Sequence, residues 1–424
     1  RDWSSDVCSS DLKIAESIPD NVLILQPSKE LLEQNYEKYT NLGGKAEIYS
    51  ASMNRKKVSQ VTYATIGSIK KLGKDFKELG FNKMIIDEVH LYPRESDSML
   101  QTFLNESGIT HVLGLSATPL KLQTNYDFNK QPFSKLVMLT NRSKKGVPFF
   151  KDIIYVAQVK EMVECKYWSK LVYAPTKIDD SKLVFNSTKA EYTEESINIV
   201  YAENDVERLI INKINTLNDR KSILVFVPSV AQAQALANIV PNSEAVYGDM
   251  DKAFRSIVIR GFKKGNIRIV FNCNVLTTGF DHPSLDCIIL GRSTASFSLY
   301  YQMIGRGTRI FPTKDDCLIV DFANNVNRFG KVEHLYYKKE NVWKLYGEDG
   351  KLISGVPVHE IGIRTEATEA VLNQKRENEK KGIITFGKHS GKSVEQVWRE
   401  DRGYLIWMKD NFKFNDNNQK IKDE

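Results

Sequence analysis

Short apolar runs alternate with stretches of helical period along most of this chain. Residues 22–25 (Val-Leu-Ile-Leu) read as a buried strand, and residues 30–39 carry apolar side chains at helical spacing. Strands follow at 46–49, 61–65 and 84–86, the last being Met-Ile-Ile ahead of the acidic pair Asp87-Glu88. A helix through 99–104 and a strand at 112–115 complete this first series. A less regular stretch comes next, from about 121 to 201, with one strand expected at 153–156. The second series opens with a helix near 205–217 and a strand at 222–227, and closes with a strand at 317–321. Strands and helices alternating at this spacing predict an α/β fold of two tandem, doubly wound parallel sheets.

On this pattern the first sheet domain is placed at 13–135, a connector at 136–200 and the second sheet domain at 201–335. A polar, charge-mixed linker at 336–382, a small module at 383–415 and a tail at 416–424 follow. The first twelve residues have no helical or strand period and resemble translated sequencing-adapter read-through. The other reading is a native, disordered tail.

At 424 residues the chain has room for two or three cores, and 41% hydrophobic with 27% charged residues is ordinary globular composition. No apolar run approaches the roughly 18 residues of a membrane helix, so a membrane is not expected as a partner. A formal charge of +7 leans toward polyanions. Five scattered cysteines with no C-x₂-C pair fit reduced thiols in a cytoplasm-like compartment, bacterial or phage-infected, without a zinc site.

Ligands of open α/β sheets sit outside the carboxyl ends of strands, where Asp87 and Glu88 emerge. A nucleotide-hydrolysing site needs such a pair, one carboxylate for Mg²⁺ and the other to orient the attacking water. A strand running into a solvated acidic loop has the same sequence, so the pair alone decides nothing.

The ordered set of motifs is far more specific. Asp87-Glu88-Val89-His90, Ser116-Ala117-Thr118, the run 275–281 (VLTTGFD) and the run 302–309 (QMIGRGTR) resemble motifs II, III, V and VI of superfamily 2 helicases, in the right order. Pro27-Ser28-Lys29-Glu30 resembles motif Ia, and Thr65-Ile66-Gly67-Ser68 the next DNA-contacting loop. Residues 222–329, ending in Asp-Phe-Ala-Asn-Asn-Val-Asn-Arg, are similar to RadD-type DNA-repair ATPases and the type III restriction-subunit group. The terminal module resembles the accessory domain at the C-termini of exonuclease-X-like proteins.

The resemblance implies two RecA-like domains that close on ATP and Mg²⁺ and move along nucleic acid. Asp87 would hold the metal and Glu88 the water. Arg306 and Arg309, one helical turn apart, would act as arginine fingers, and Gln302 would anchor the nucleotide side of their helix. Gly279, Asp281 and Gly305 would line the ATP site, with Asp281 bonding the ribose or orienting an arginine. His90, Ser116 and Thr118 would couple the halves. Pro27, Ser28, Lys29, Thr65, Gly67, Thr277 and Thr278 would grip nucleic-acid phosphates without reading sequence. In the module, Lys388, Lys392 and Trp407 would add a second contact; the favoured reading of Trp398, Tyr404 and Trp407 themselves is that they form its core. The implied partner is DNA, single-stranded or forked, with RNA left open, together with repair or replication proteins.

A helicase of this type also needs a phosphate-cradling G-x-x-x-x-G-K-[ST] loop ahead of motif Ia. None lies upstream of Val22, and Gly391-Lys392-Ser393 has Phe386 where the first glycine belongs. The expectation is a chain that lacks its natural start and hydrolyses ATP poorly. The alternatives are a translocating subunit of a restriction or repair complex, which does not separate strands, and a nucleic-acid-binding relic.

Overall fold

The structure, a computed structural model, describes residues 13–15, 17–92, 98–141, 150–277, 280–362, 377, 381–384, 389 and 391–411. Residues up to Ile361 form one compact unit, and those from Gly362 onward a second. The first unit contains two six-stranded sheets.

In the first sheet, β1 (Val22–Leu25), β2 (Glu47–Ser50), β3 (Arg55–Lys56), β4 (Val61–Ala64), β5 (Lys83–Ile86) and β6 (His111–Gly114) lie in the order β3-β2-β4-β1-β5-β6. Every pairing is parallel except that of the edge strand β3 with β2. All residues of β1 and β4 are buried, because the sheet is covered on both faces. Leu23, Leu25, Met84 and Ile86 pack with Phe76 and Phe103 on one face, while Val22, Ile24 and Ile85 pack with Leu32 and Tyr39 on the other. This two-sided burial is why the strands read as uninterrupted apolar runs rather than alternating ones.

An antiparallel hairpin of β7 (Leu120–Tyr126) and β8 (Pro132–Met138) follows the first sheet and belongs to neither large sheet. The second sheet comprises β9 (Lys170–Pro175), β10 (Ile223–Phe226), β11 (Ser243–Tyr247), β12 (Ile269–Cys273), β13 (Cys287–Leu290) and β14 (Asp316–Asp321). It is parallel throughout, in the order β11-β12-β10-β13-β14-β9. Two tandem RecA-like, doubly wound domains are therefore the architecture.

Three expectations are corrected here. Residues 136–200 are more than a connector, since β9 within them completes the second sheet beside β14. Residues 153–156 form no strand: Ile153 packs against the core, but Ile154 and Tyr155 project outward and no strand among the described residues pairs with them. Nor is the stretch after 335 wholly a linker. A hairpin of β15 (Tyr336–Lys339) and β16 (Trp343–Tyr346) buries Leu345, and Ile353, Val358 and Ile361 join the core of the second domain. Its few apolar residues are spaced among charged ones, a pattern that averages to "polar" when composition alone is read.

Within the C-terminal unit, the helices Val394–Glu400 and Arg402–Asn411 close over Ile384, Val394, Val397, Leu405 and Met408. Ser393 caps the first helix and shares a capping box with Gln396. Reading Trp398 and Trp407 as this unit's core fails: they are 46% and 54% exposed, and only Tyr404 packs partly against the aliphatic cluster.

Candidate ATPase site and nucleic-acid loops

Asp87 and Glu88 emerge from the carboxyl end of β5, the strand that lies between β1 and β6. Strand pairing continues into the tip, where the Asp87 N–H donates to Leu25 O and the Val89 N–H to Leu115 O, both at 3.0 Å. Glu88 takes a left-handed backbone (φ 44°) that turns its side chain out of the sheet, and its N–H donates to Asp87 Oδ1 at 2.8 Å. Such a conformation is uncommon for a residue with a Cβ and marks a site held by its surroundings.

Asp87 is buried, and burial raises its pKa. The Glu88 N–H and the Asn35 side chain oppose that shift by donating to the carboxylate, Asn35 Nδ2 from 3.3 Å, and the nearby Gln26 amide acts in the same direction. Glu88 is pushed up to about 7 by burial and by the neighbouring Asp87 charge, with Arg306 pulling the other way. Two carboxylates in so dry a place carry more negative charge than the protein balances, and their hard oxygen donors suit Mg²⁺. The residues fit the ion.

His90 Nδ1 lies 2.8 Å from Ser116 Oγ and 3.4 Å from Glu88 Oε2. Ser116 Oγ also accepts the Thr118 N–H at 3.1 Å, so the loop after β6 is tied to the acidic tip through one imidazole. Thr118 is completely buried.

The second domain supplies the basic side. Arg306 donates from Nη1 to Phe280 O at 2.6 Å and from Nε to Gln302 O at 3.3 Å. Arg309 Nε lies 3.3 Å from Asp281 Oδ1, while Asp281 Oδ2 lies 3.7 Å from Lys38 Nζ on the helix Lys29–Asn41 of the first domain. Asp281 thus ties the two halves together.

The two arginines do not share a helical turn as expected. The helix carrying Gln302 runs Phe297–Gly305 and stops at Arg306. Gly307 is pressed against β14, where an added Cβ would sit 2.5 Å from Cys317 Sγ, so no larger residue fits and the chain must turn. Lys314 Nζ collects the carbonyls of Gly307 and Arg309, each at 2.7 Å, and satisfies the groups a continued helix would have used.

The loops assigned to nucleic acid stand at strand ends of the same sheets. Ser28, after β1, caps the helix Lys29–Asn41 by accepting the Leu31 N–H at 3.2 Å, and the exposed Lys29 pairs with Glu33. Pro27 precedes it, partly buried. Thr65 Oγ1 bonds Ser68 Oγ at 2.9 Å, and a Cβ on Gly67 would meet nothing within 4 Å, so packing does not require that glycine. Thr277 is partly buried after β12, in a loop held by Asn272 Oδ1 accepting from Val275 and Leu276. Thr278, Gly279 and Lys388 lie outside the described residues. In the C-terminal unit Lys392 pairs with Glu400, Trp407 packs against Tyr404 with ring centroids 5.7 Å apart, and Arg402 covers Trp398 at 4.0 Å.

Sequence reading missed Asn35 and Lys38. Asn35 was visible in principle, as a polar residue on the buried face that also carries Leu32 and Tyr39. Lys38 was not, because its partner Asp281 is 243 positions away.

Comparison with known proteins agrees with this geometry. Residues 204–311 match the family described as Helicase conserved C-terminal domain, residues 10–121 match Type III restriction enzyme, res subunit, and residues 384–413 match Exodeoxyribonuclease X-like C-terminal. The chain is 29% identical over 251 residues to "Putative ATP-dependent helicase IRC3" of Saccharomyces cerevisiae, covering 57% of this chain and 34% of that protein. It is 27% identical over 318 residues to "Putative mitochondrial ATP-dependent helicase irc3" of Schizosaccharomyces pombe, covering 67% and 47%. It therefore spans between a third and a half of these relatives. Among solved structures, the ATP-dependent Type ISP restriction-modification enzyme LlaBIII bound to DNA shares the fold with a TM-score of 0.53 at 17% identity, over 96% of this chain and 32% of that one. A fragment of an HsdR subunit of a type I restriction enzyme from Vibrio vulnificus follows at 0.50 and 18%, over 73% and 54%. Two RecA-like sheets, an acidic strand tip on one acted on by an arginine of the other, and family matches to both halves support a superfamily 2 helicase of restriction-subunit-like type.

Proposed function

We propose that this chain is the motor of an ATP-dependent DNA translocase that unwinds strands as it moves, with single-stranded or forked DNA as its substrate. The observation that carries the reading is Glu88, whose carboxyl sits where both the Asp87 charge and Arg306 of the other domain act on it. A group so placed changes its charge balance whenever the two domains approach or part, which is what coupling hydrolysis to movement requires.

In this reading Asp87 would hold Mg²⁺, and the ion would supply neutralisation of phosphate charge. Glu88 accepts a hydrogen bond from the attacking water and orients it. Arg306 and Arg309 offset charge developing on the transferred phosphoryl, and Asp281 keeps Arg309 extended toward the cleft. Gln302, Gly279 and Gly305 border the nucleotide. His90, Ser116 and Thr118 transmit the state of the acidic tip to the loop after β6. Ser28, Thr65, Gly67, Thr277 and Thr278, with Pro27 and Lys29 beside them, track the phosphate backbone, and Lys388, Lys392 and Trp407 form a second, tethered contact. Repair or replication is the setting these contacts suit.

The 424 residues contain no phosphate-cradling loop, so we expect them to bind DNA but to turn over ATP poorly. DNA-stimulated ATPase measurements on this chain test that point directly, and robust turnover would overturn it. In a longer chain carrying such a loop, Glu88→Gln should keep ATP binding near normal and cut turnover by orders of magnitude. Wild-type kcat in that variant would remove Glu88 from the mechanism. The likeness to a restriction enzyme bound to DNA favours one second reading, translocation along duplex without unwinding. Triplex displacement without opening of a fork would establish it.

A further inference from the structure

The hairpin of β7 and β8 has no counterpart among the motifs, yet it grows directly out of one. Thr118 is buried beside the acidic tip, Leu120 begins β7, and the Leu139 N–H closes the hairpin root on Pro119 O at 2.9 Å. The root lines a cleft of about 390 Å³ together with His90, Tyr92 and Ser296, the cap of the helix that carries Gln302. Leu120, Leu136 and Met138 anchor it in the core, and Ser134 Oγ donates to Thr188 O at 2.9 Å. The seven residues of β7 then carry the chain about 20 Å outward, six steps of roughly 3.4 Å.

At the far end the structure presents two aromatic rings to solvent. Tyr126 is 65% exposed and Phe128 fully exposed, the most exposed large hydrophobic side chain among the described residues. The turn that displays them is built. Asp127 Oδ1 accepts the N–H groups of Asn129 and Gln131, both at 2.8 Å, its own N–H donates to Gln131 O at 2.9 Å, and Lys130 adopts a left-handed φ of 59°. An ordered turn that commits five polar groups to holding two rings in water is costly unless the rings meet something.

We propose that this tip stacks on a base at the junction between single- and double-stranded DNA and so acts as the wedge at which strands part. The proposal rests on the motor reading above. Composition favours a nucleic acid over a protein partner. Asn125, Asn129, Lys130 and Gln131 surround the rings, no aliphatic residue stands at the tip, and the one carboxylate there is occupied by the turn's own N–H groups. A protein-docking patch has a contiguous apolar centre depleted in lysine, whereas stacked rings among amides and cations suit bases and phosphates. Because the root lines one cleft with His90 and with the cap of the helix that carries Gln302, a change at the ATPase site is placed to reach the wedge.

The test compares the full 424-residue chain with its Tyr126→Ala/Phe128→Ala variant, by anisotropy on a labelled fork and on a single strand of equal length. Both residues are exposed, and circular dichroism checks the fold. The variant should lose about tenfold in affinity for the fork, the worth of about one base–aromatic stack, while single-strand affinity stays within twofold. Equal affinities of the two proteins for the fork would overturn the wedge and leave protein docking as the tip's use. An equal loss on fork and single strand would overturn the junction assignment. Failure of the wild-type chain to bind either DNA would instead sink the motor reading on which the proposal stands.

Discussion

Glu88 carries a stability signature that is separate from its chemistry. Its ordinary pKa of 4.5 is raised to about 7 in the fold, so the folded chain keeps a proton there that the unfolded chain has released. Stability must therefore fall as pH rises through that window. Glu88→Gln removes the effect and should be more stable than wild type at about pH 8, on the order of 3 kcal/mol, with little difference near pH 4. Thermal melts at the two pH values measure this, and a pH-independent difference would refute it. Mg²⁺ should raise the wild-type melting temperature at pH 8 and do so less in the variant. Asn35→Ala takes a donor from the buried Asp87 and should cost about 1–3 kcal/mol in urea unfolding. How these residues read beforehand differs. Asp87 and Glu88 stood out because acidic residues following three buried apolar ones occupy a known place on a sheet. Asn35 was passed over because a lone polar residue in a helix usually faces water, and only the acidic tip opposite explains its burial.

Among elements, the sequence was clearest where strands are buried on both faces. β1 and β10 show four apolar residues each with no polar interruption, β4 only Thr62 among apolar neighbours, and each lies centrally in its sheet. β13, Cys-Ile-Ile-Leu, has the same character, though sequence reading missed it. The sequence was least clear for β7, whose residues alternate, and for β8 and β9, whose short apolar runs at 136–138 and 171–174 stand in a stretch with no regular alternation of strand and helix around them. β9 in particular is defined by a partner, β14, that lies 146 positions later, a pairing no local pattern encodes. The turn after the helix Phe297–Gly305 was likewise read as continued helix, because helical period does not register a glycine forced against a cysteine. Gly307→Ala tests that contact. The added methyl cannot fit beside Cys317 and Ile288 without movement, and the variant should lose about 1–3 kcal/mol of stability. A variant as stable as wild type would mean that β14 yields easily there.

The whole molecule divides at Ile361, and a chain ended there should keep its far-UV spectrum and cooperative melt. Its affinity for single-stranded DNA should fall, since a tethered second contact tightens binding through local concentration alone. Unchanged affinity would make the C-terminal unit a docking or purely structural piece. For the intact chain, log K should decrease linearly with log salt and depend little on base sequence, because the assigned contacts are to phosphates. A flat plot would count against those loops. One feature of the second sheet also sets where this protein can be cut or fused. Because β9 is the outermost strand yet precedes its sheet by some fifty residues, severing the chain near residue 200 would strip β14 of its neighbour. The isolated half would then display a raw hydrogen-bonding edge beside a buried apolar face, an invitation to self-association. A soluble second half for split reporters or domain exchange has to begin ahead of Lys170 and carry its borrowed strand along.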